Sequence, residues 1–318
     1  MTRQLMNALK KIIVVILTSV SLMAGFSAFA QQDALFSQYM FNQMILNPAY
    51  SGSRDVLTAT LVHRNQWVGM DGAPLTSTFS VQTPLQNENV ALGFLIYNDQ
   101  LGATKDLGVM ANYAYRIRVG QGRLAFGLQG GFIQQGVDLQ KLLLKDQYDV
   151  NVFNVPATQF TPDVNFGVYY TGRNWYAGAS SKHLFESLFS KEDNFEDSPY
   201  AILARHFYAT AGFLIDLGDD IVLKPSALIS YTRNAPVSVD INTNVFLKDK
   251  IMLGASYRTG RNAVVLLAEV TIREDLKIGY SYDVILNELS QHSMGSHEFM
   301  LSWDFDLYKR YEKSKRYF

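Results

Sequence analysis

The side chains from which a general base, a proton shuttle or a metal site would be drawn are five histidines: His63, His183, His206, His292 and His297. No two stand three or four positions apart, and His297-Glu298 lacks the second histidine of a zincin pair. The chain contains no cysteine. That removes disulfides, thiol nucleophiles and thiolate ligands together, and neither a metal nor any other cofactor is expected. Ser180, Ser181 and His183 come nearest to a nucleophile with its base. They sit in no G-x-S-x-G turn, so they read more simply as polar residues of one strand and a histidine at the loop edge. The glycine-rich stretch from Gly120 to Gly131 has no Lys-Ser/Thr after it, which makes it a strand needing close packing or curvature rather than a phosphate loop. Net charge is −1, so no global field draws the chain to nucleic acid. The expectation is a protein that is not an enzyme.

The elements that must position these residues are strands. From about Val56 to Phe305 the sequence alternates with period two. Phe299, Leu301, Trp303 and Phe305 share one face, with Met300, Ser302 and Asp304 on the other. Ile241, Val245 and Leu247 alternate with Asp240, Asn242 and Asn244. Strands are predicted over 56–66, 75–83, 90–98, 107–117, 122–133, 163–171, 174–182, 206–216, 220–232, 237–247, 250–258, 262–272, 275–283 and 297–305. A soluble sandwich would show the same alternation, but three features favour a membrane barrel. The polar face is rich in small residues, among them Gly127, Gly167, Gly178, Asn112 and Asn165. The strand count is even, about 14 antiparallel strands. Connections alternate between tight turns (Gly172-Arg173, Gly218-Asp219, Lys248-Asp249) and long segments (134–162, 183–205, 284–296), as periplasmic turns and outer loops do. The 18 Tyr and 20 Phe suit interface girdles. Arg116, Lys182, Arg258, Glu269, Lys277 and Asp283 fall on or near inward faces, where they need partners.

The predicted organisation has four parts. Residues 1–30 read as a cleaved signal peptide: Arg3, Lys10 and Lys11, then an apolar run, then Ala28-Phe29-Ala30. Residues 31–55 are too irregular for a strand. Strand parity puts them at the periplasmic end, where they could enter and plug the lumen. Residues 56–306 form the barrel, embedded in outer-membrane lipid. Residues 307–318 form a basic, aromatic periplasmic tail, and Lys309, Arg310, Tyr311, Lys315 and Arg316 are candidates for docking a periplasmic partner.

Phe36-Ser37-Gln38-Tyr39-Met40-Phe41-Asn42 is followed by Leu46-Asn47-Pro48-Ala49-Tyr50-Ser51-Gly52. Next come Arg64-Asn65-Gln66-Trp67-Val68-Gly69 and Gly72-Ala73-Pro74. With Ile278-Gly279-Tyr280-Ser281-Tyr282-Asp283 and His297-Glu298-Phe299, these stretches resemble the PorP/SprF family of type IX secretion system outer-membrane proteins. Physically, Asn47-Pro48 and Ser51-Gly52 are turn formers. Tyr39, Phe41 and Tyr50 would anchor the segment to the barrel wall. Arg64, Gln66 and Trp67 would end the first strand, and Gly69, Gly72 and Pro74 would shape a first outer loop able to fold inward. The resemblance implies a role in protein secretion or gliding motility. One form of it partners a secreted surface protein, often an adhesin with a type B C-terminal domain, for export or attachment. The other links the outer membrane to periplasmic type IX components and peptidoglycan. The first is preferred. Cargo would then meet the long outer loops, of which 183–205 is acidic with Glu186, Glu192, Asp193, Glu196 and Asp197. A plain diffusion porin is the remaining alternative, which a plug would forbid.

Overall fold

A computed structural model describes residues 33–138, 158–185, 203–273 and 275–307. Fourteen strands make one antiparallel sheet: β1 Leu57–Asn65, β2 Leu75–Pro84, β3 Val90–Leu101, β4 Thr104–Val119, β5 Gly122–Val137, β6 Thr158–Thr171, β7 Trp175–Lys182, and β8 His206–Phe213, continued past Leu214 by Ile215–Asp216. The remaining six are β9 Ile221–Thr232, β10 Ser238–Leu247, β11 Ile251–Arg258, β12 Ala263–Thr271, β13 Leu276–Ile285 and β14 Ser296–Phe305. Each strand pairs with its neighbours in sequence, and β14 pairs with β1 from Leu57↔Phe305 to Asn65↔His297. The sheet is therefore a closed barrel with no free edge.

Its burial pattern is inverted relative to a water-soluble protein. On β14, Phe299, Leu301, Trp303 and Phe305 are exposed, while Met300, Ser302 and Asp304 are buried. On β10, Ile241 is exposed, while Asp240, Asn242 and Asn244 are buried. Apolar side chains facing out and polar ones facing in are what hydrocarbon outside and a polar lumen require. No described helix is long and apolar enough to cross a membrane; the crossing is made by strands. At the tight end, Gly120 (φ +60), Gly218 (φ +102) and the pair Lys248 and Asp249 (φ +52 and +54) supply the left-handed backbone of hairpin turns.

The strand ends depart from the sequence reading where the barrel outgrows the alternation. β3 and β4 extend to a tight hairpin at Gly102-Ala103, although that connection lies at the long-loop end. β5 runs on to Val137 and β6 starts at Thr158, so the predicted loop 134–162 is strand at both ends. The extra turns of ladder pair Asp106 with Gln135 and Gln135 with Gln159. Backbone pairing continues there without the apolar outer face by which strands are recognised. Residues 186–202, with the acidic loop residues, lie outside the described residues, as do the signal segment 1–30, Gln31, and the tail positions Lys309, Arg310, Tyr311, Lys315 and Arg316.

Residues 33–55 join β1 at the turn end, where strand parity puts them. They run inside the barrel along its height. Asp55 meets Arg116 and Arg123 near the β4–β5 turn, and Asp33 meets Lys182, His183 and His206 at the long-loop end. Short 3-10 turns at Tyr39–Phe41, Gln43–Ile45 and Pro48–Tyr50 shape this lumen segment.

The facing of the strands is open to a direct check. Leu301→Arg, at mid-height on the lipid side of β14, should destabilise the folded barrel by about 2–4 kcal/mol. Ser302→Ala, one residue on and inward, loses a hydroxyl contact with Thr60 and should cost only about 1 kcal/mol. Urea titrations in lipid vesicles would separate them; equal costs would contradict the assigned faces.

Candidate functional site

The site is the seat of the lumen segment, and it begins with one buried carboxylate. Glu298, inward on β14, accepts the backbone N–H of Ser37 at 2.7 Å and of Gln38 at 2.8 Å. Arg64, inward on β1, binds Glu298 at 3.0 Å and Asp283 on β13 at 2.6 Å. It also donates to the Ser37 hydroxyl at 2.6 Å, and that hydroxyl donates to Asp283 at 2.7 Å. Beside this group, Arg258 pairs with Asp240 at 2.7 Å and donates to the Phe36 carbonyl at 3.3 Å. All of these charged side chains are buried. A buried ion pair needs further hydrogen bonds to offset its desolvation, and here the segment's own backbone supplies three of them, from the Ser37 and Gln38 amides and the Phe36 carbonyl. The stretches that carry the family resemblance, Phe36–Tyr39, Arg64, Asp283 and Glu298, thus meet in one place.

Further down, the wall is cut back to admit backbone. A Cβ on Gly127 would lie 2.1 Å from the Ala49 nitrogen. One on Gly167 would lie 2.0 Å from Asn47 Oδ1, and one on Gly279 2.2 Å from Gln38 Oε1. Asn47 caps the turn before Pro48: its Oδ1 accepts the Ala49 N–H at 2.9 Å. Its Nδ2 donates to the carbonyls of Val168 and Ala179 at 3.0 and 3.3 Å. Asn42 donates to Ser80, and Asn112 donates to Ser51. Tyr39 accepts from Asn242, Tyr50 packs edge-on to Tyr169 at 5.4 Å, and the Phe41 ring lies 5.7 Å from the Lys224 ammonium. Leu46 and Ala49 are buried among them. At the turn end Gly52 accepts from Arg116, Arg54 pairs with Asp304 at 2.7 Å, and Asp55 bridges Arg116 and Arg123.

At the long-loop end Asp33 sits between Lys182 at 2.5 Å and His183 at 3.0 Å. Burial opposes charge on Asp33, yet Lys182 and His183 hold its carboxyl well below the usual range. Burial also opposes protonation of His183, but the carboxylates of Asp33 and Asp163 outweigh it and raise the imidazole to about 9. The segment divides the mouth. On one side an open recess of ≈ 950 Å³, bounded by Tyr97, Asp99, Asp106 and Asp163, lies against β2 to β6. On the other, a recess of ≈ 480 Å³ lies against β8 to β12.

The residues expected at the end of the first strand and in the first outer loop fare differently from one another. Arg64 belongs to β1 and faces the lumen. Gln66 is buried and accepts from Arg261 at 3.1 Å. Trp67 (φ +52), Gly69 (φ +97) and Gly72 (φ +73) turn the loop along the rim instead of inward. Val68 exchanges backbone hydrogen bonds with the β13–β14 loop at Gly295 and Met294, Gly72 accepts from Gly102, and Pro74 accepts from Gln66. Ser180 donates to the Leu46 carbonyl, while His183 turns its ring nitrogens toward Asp33 and Asp163. The serine and histidine considered together are therefore engaged elsewhere. Asp33, Asp163 and Asp240 were not singled out from the sequence. Asp240 meets Arg258 directly across one hairpin and Asp163 meets His183 across the next strand, pairings that depend on exact register, whereas Asp33 finds Lys182 only at a separation of 149.

Glu298→Gln should leave Arg64 under-compensated and weaken both amide contacts, a loss of about 3–5 kcal/mol. Hydrogen exchange at Ser37 and Gln38 should then speed up at least about a hundredfold. Gly127→Val should expel the segment near Ala49, seen as new protease cleavage between 33 and 55 in a barrel that remains folded. Full protection in both variants would mean that the segment is not held by these contacts.

Residues 28–303 match the family described as type IX secretion system membrane protein PorP/SprF. No curated protein matches the chain. Among solved structures it is similar to the Acinetobacter baumannii outer membrane protein Omp33, at 8% identity over 79% of this chain and 98% of that one, with a TM-score of 0.47. It is also similar to a Pseudomonas aeruginosa FadL homologue, at 14% identity over 88% and 96%, TM-score 0.41. A triple mutant of Rhodopseudomonas blastica porin matches at 8% identity over 79% and 99%, TM-score 0.34. With its closed, outward-apolar barrel and a family match over most of its length, this chain belongs to the PorP/SprF family of type IX secretion outer-membrane proteins.

Proposed function

We propose that the barrel is a closed, non-enzymatic scaffold that partners one specific secreted surface protein at its long-loop face. It would serve that protein's export or its attachment to the cell. The observation that carries this reading is the buried course of residues 33–55 through the bore, pinned at Glu298 and Arg64 near one end and at Asp304, Arg116 and Arg123 at the other. A bore filled in this way acts as a plug and favours a scaffold over a diffusion porin. The described recesses that flank Asp33 face the long-loop end, where an exported partner would sit. The resemblance to type IX components supplies the class of that partner, an adhesin-like surface protein with a type B C-terminal domain.

A second reading has its own observation. At the turn end Arg116, Arg118, Arg123 and Glu88 surround an open pocket of ≈ 530 Å³, and the Arg118 side chain is 82% exposed. Such a surface fits attachment to acidic periplasmic components of the secretion machine.

Affinity purification of the tagged protein from native outer membrane, followed by mass spectrometry, distinguishes the two. One dominant large secreted protein is the expected result. Periplasmic ring or peptidoglycan-binding proteins in its place would overturn the cargo reading. In planar bilayers the intact protein should be silent, and a variant lacking 33–55 should conduct if its barrel folds. Large steady channels from the intact protein would refute the plug and restore the porin.

A further inference from the structure

Three residues that the chain separates widely meet at the long-loop end of the lumen. Asp33 opens the lumen segment, His183 follows β7, and His206 begins β8. Each offers one ligand atom, and the three atoms lie within 4.8 Å of one another. We propose that Asp33, His183 and His206 bind one divalent transition-metal ion of the zinc class, clamping the start of the lumen segment to the barrel rim.

The surroundings are those of a metal site rather than of a chance cluster. In metal sites a ligating imidazole has its other nitrogen held by a carboxylate or a carbonyl, which fixes the ring and leaves one lone pair for the ion. In His183, Nδ1 lies 3.0 Å from Asp163 Oδ2 and Nε2 lies 3.0 Å from Asp33 Oδ1, so the ion would replace the proton between Nε2 and Asp33. In His206, Nδ1 is held 2.8 Å from the Ala204 carbonyl, and Nε2 accepts the Asp33 N–H over a long 3.4 Å, a contact the ion would displace. His183 takes a left-handed backbone conformation (φ +56) that a non-glycine residue seldom adopts. Such strain persists where the surroundings demand it, and it gathers at functional positions.

Asp33 divides its two oxygens. Lys182 occupies Oδ2 at 2.5 Å, which leaves Oδ1 for the ion. The Lys182 ammonium opposes a cation, but Asp33 and Asp163 together outweigh its charge. Two imidazoles and one carboxylate suit zinc, with a fourth position open to water. Asp33 and His206 line both recesses of the mouth, so a hydrated ion reaches the site from outside. A tetrahedral ion with bonds of about 2.0–2.2 Å needs donors about 3.3 Å apart. Closing the site therefore asks for side-chain shifts on the order of 1 Å.

The test uses the full-length protein in detergent, stripped with chelator and titrated with Zn²⁺ by calorimetry and with Co²⁺ by visible absorption. One ion per chain is expected, with the Co²⁺ bands of a four-coordinate nitrogen and oxygen site. His183→Ala and His206→Ala should each weaken binding more than about 100-fold, and Asp163→Asn about 10–100-fold. His292→Ala, an exposed loop histidine, should change nothing. Heat-dependent mobility on gels shows which variants keep a folded barrel. If a histidine variant does not fold, the wild-type protein still decides: Zn²⁺ should slow protease cleavage near Asp33. Absence of stoichiometric uptake by the folded wild type, or equal binding by folded His183→Ala and His206→Ala, overturns the proposal.

Discussion

A closed ring of fourteen strands has a bore, and the bore has to hold something. Hydrocarbon outside leaves no choice but closure, because an open sheet edge in lipid would strand its backbone groups. Closure sets the width. Eight strands can be filled by their own inward side chains, while sixteen or more leave a water channel. Fourteen fall between, with walls of Ser, Thr, Asn and Gln that each need a partner. This chain supplies the partners from its own irregular start. Ser80 meets Asn42, Asn112 meets Ser51, and Gln82 meets the Gly52 amide.

The filling is graded along the barrel axis. At mid-height Met44, Leu46, Ala49 and Tyr50 pack with Met110, Tyr169 and Tyr176 in one buried cluster. That part of the interior is built like the core of a soluble protein and contributes by burial. Towards the ends, ion pairs take over: Arg64 with Asp283 and Glu298 above, Arg54 with Asp304 below. Such pairs add little net stability over an apolar packing of equal volume, but breaking one is costly. The pairs that join segment to wall, Arg54 with Asp304 at one end and Asp33 with Lys182 at the other, fix the height of the segment, since a slide of one residue would leave both unmatched.

Much of the barrel could be read from the sequence because lipid imposes a rule on each outward position. The alternation through β9, β10 and β14 places those strands to within about two residues. Where the apolar outer face thins out the rule lapses, so that Asp99 to Leu101, Thr104 to Asp106, Gln134 to Val137 and Thr158 to Pro162 read as loop although they are strand. The lumen contacts were hidden for another reason. Arg64 finds Asp283 and Glu298 at sequence separations of 219 and 234, and nothing local announces such a pairing. The segment's motif marked it as special, yet parity suggested only where it leaves the barrel, not how far it climbs. Glycine was the usable clue. Gly127, Gly167 and Gly178 stand out as small residues on the polar face, and they mark the groove in which Asn47, Pro48 and Ala49 lie.

The seat of Ser37 and Gln38 on Glu298 spans 261 and 260 residues of chain. Two backbone amides near the start of the lumen segment are thus satisfied by the last strand of the barrel. Until β14 closes against β1, those two amides and the Arg64 guanidinium have no permanent acceptor. The barrel must therefore form around a guest already threaded through it, or admit that guest before its final seam closes. Contacts of this separation are slow to find, and exposed strands waiting for them are prone to pair wrongly. A chain built this way depends on being held in the periplasm with its beginning free and its seam open until the end arrives.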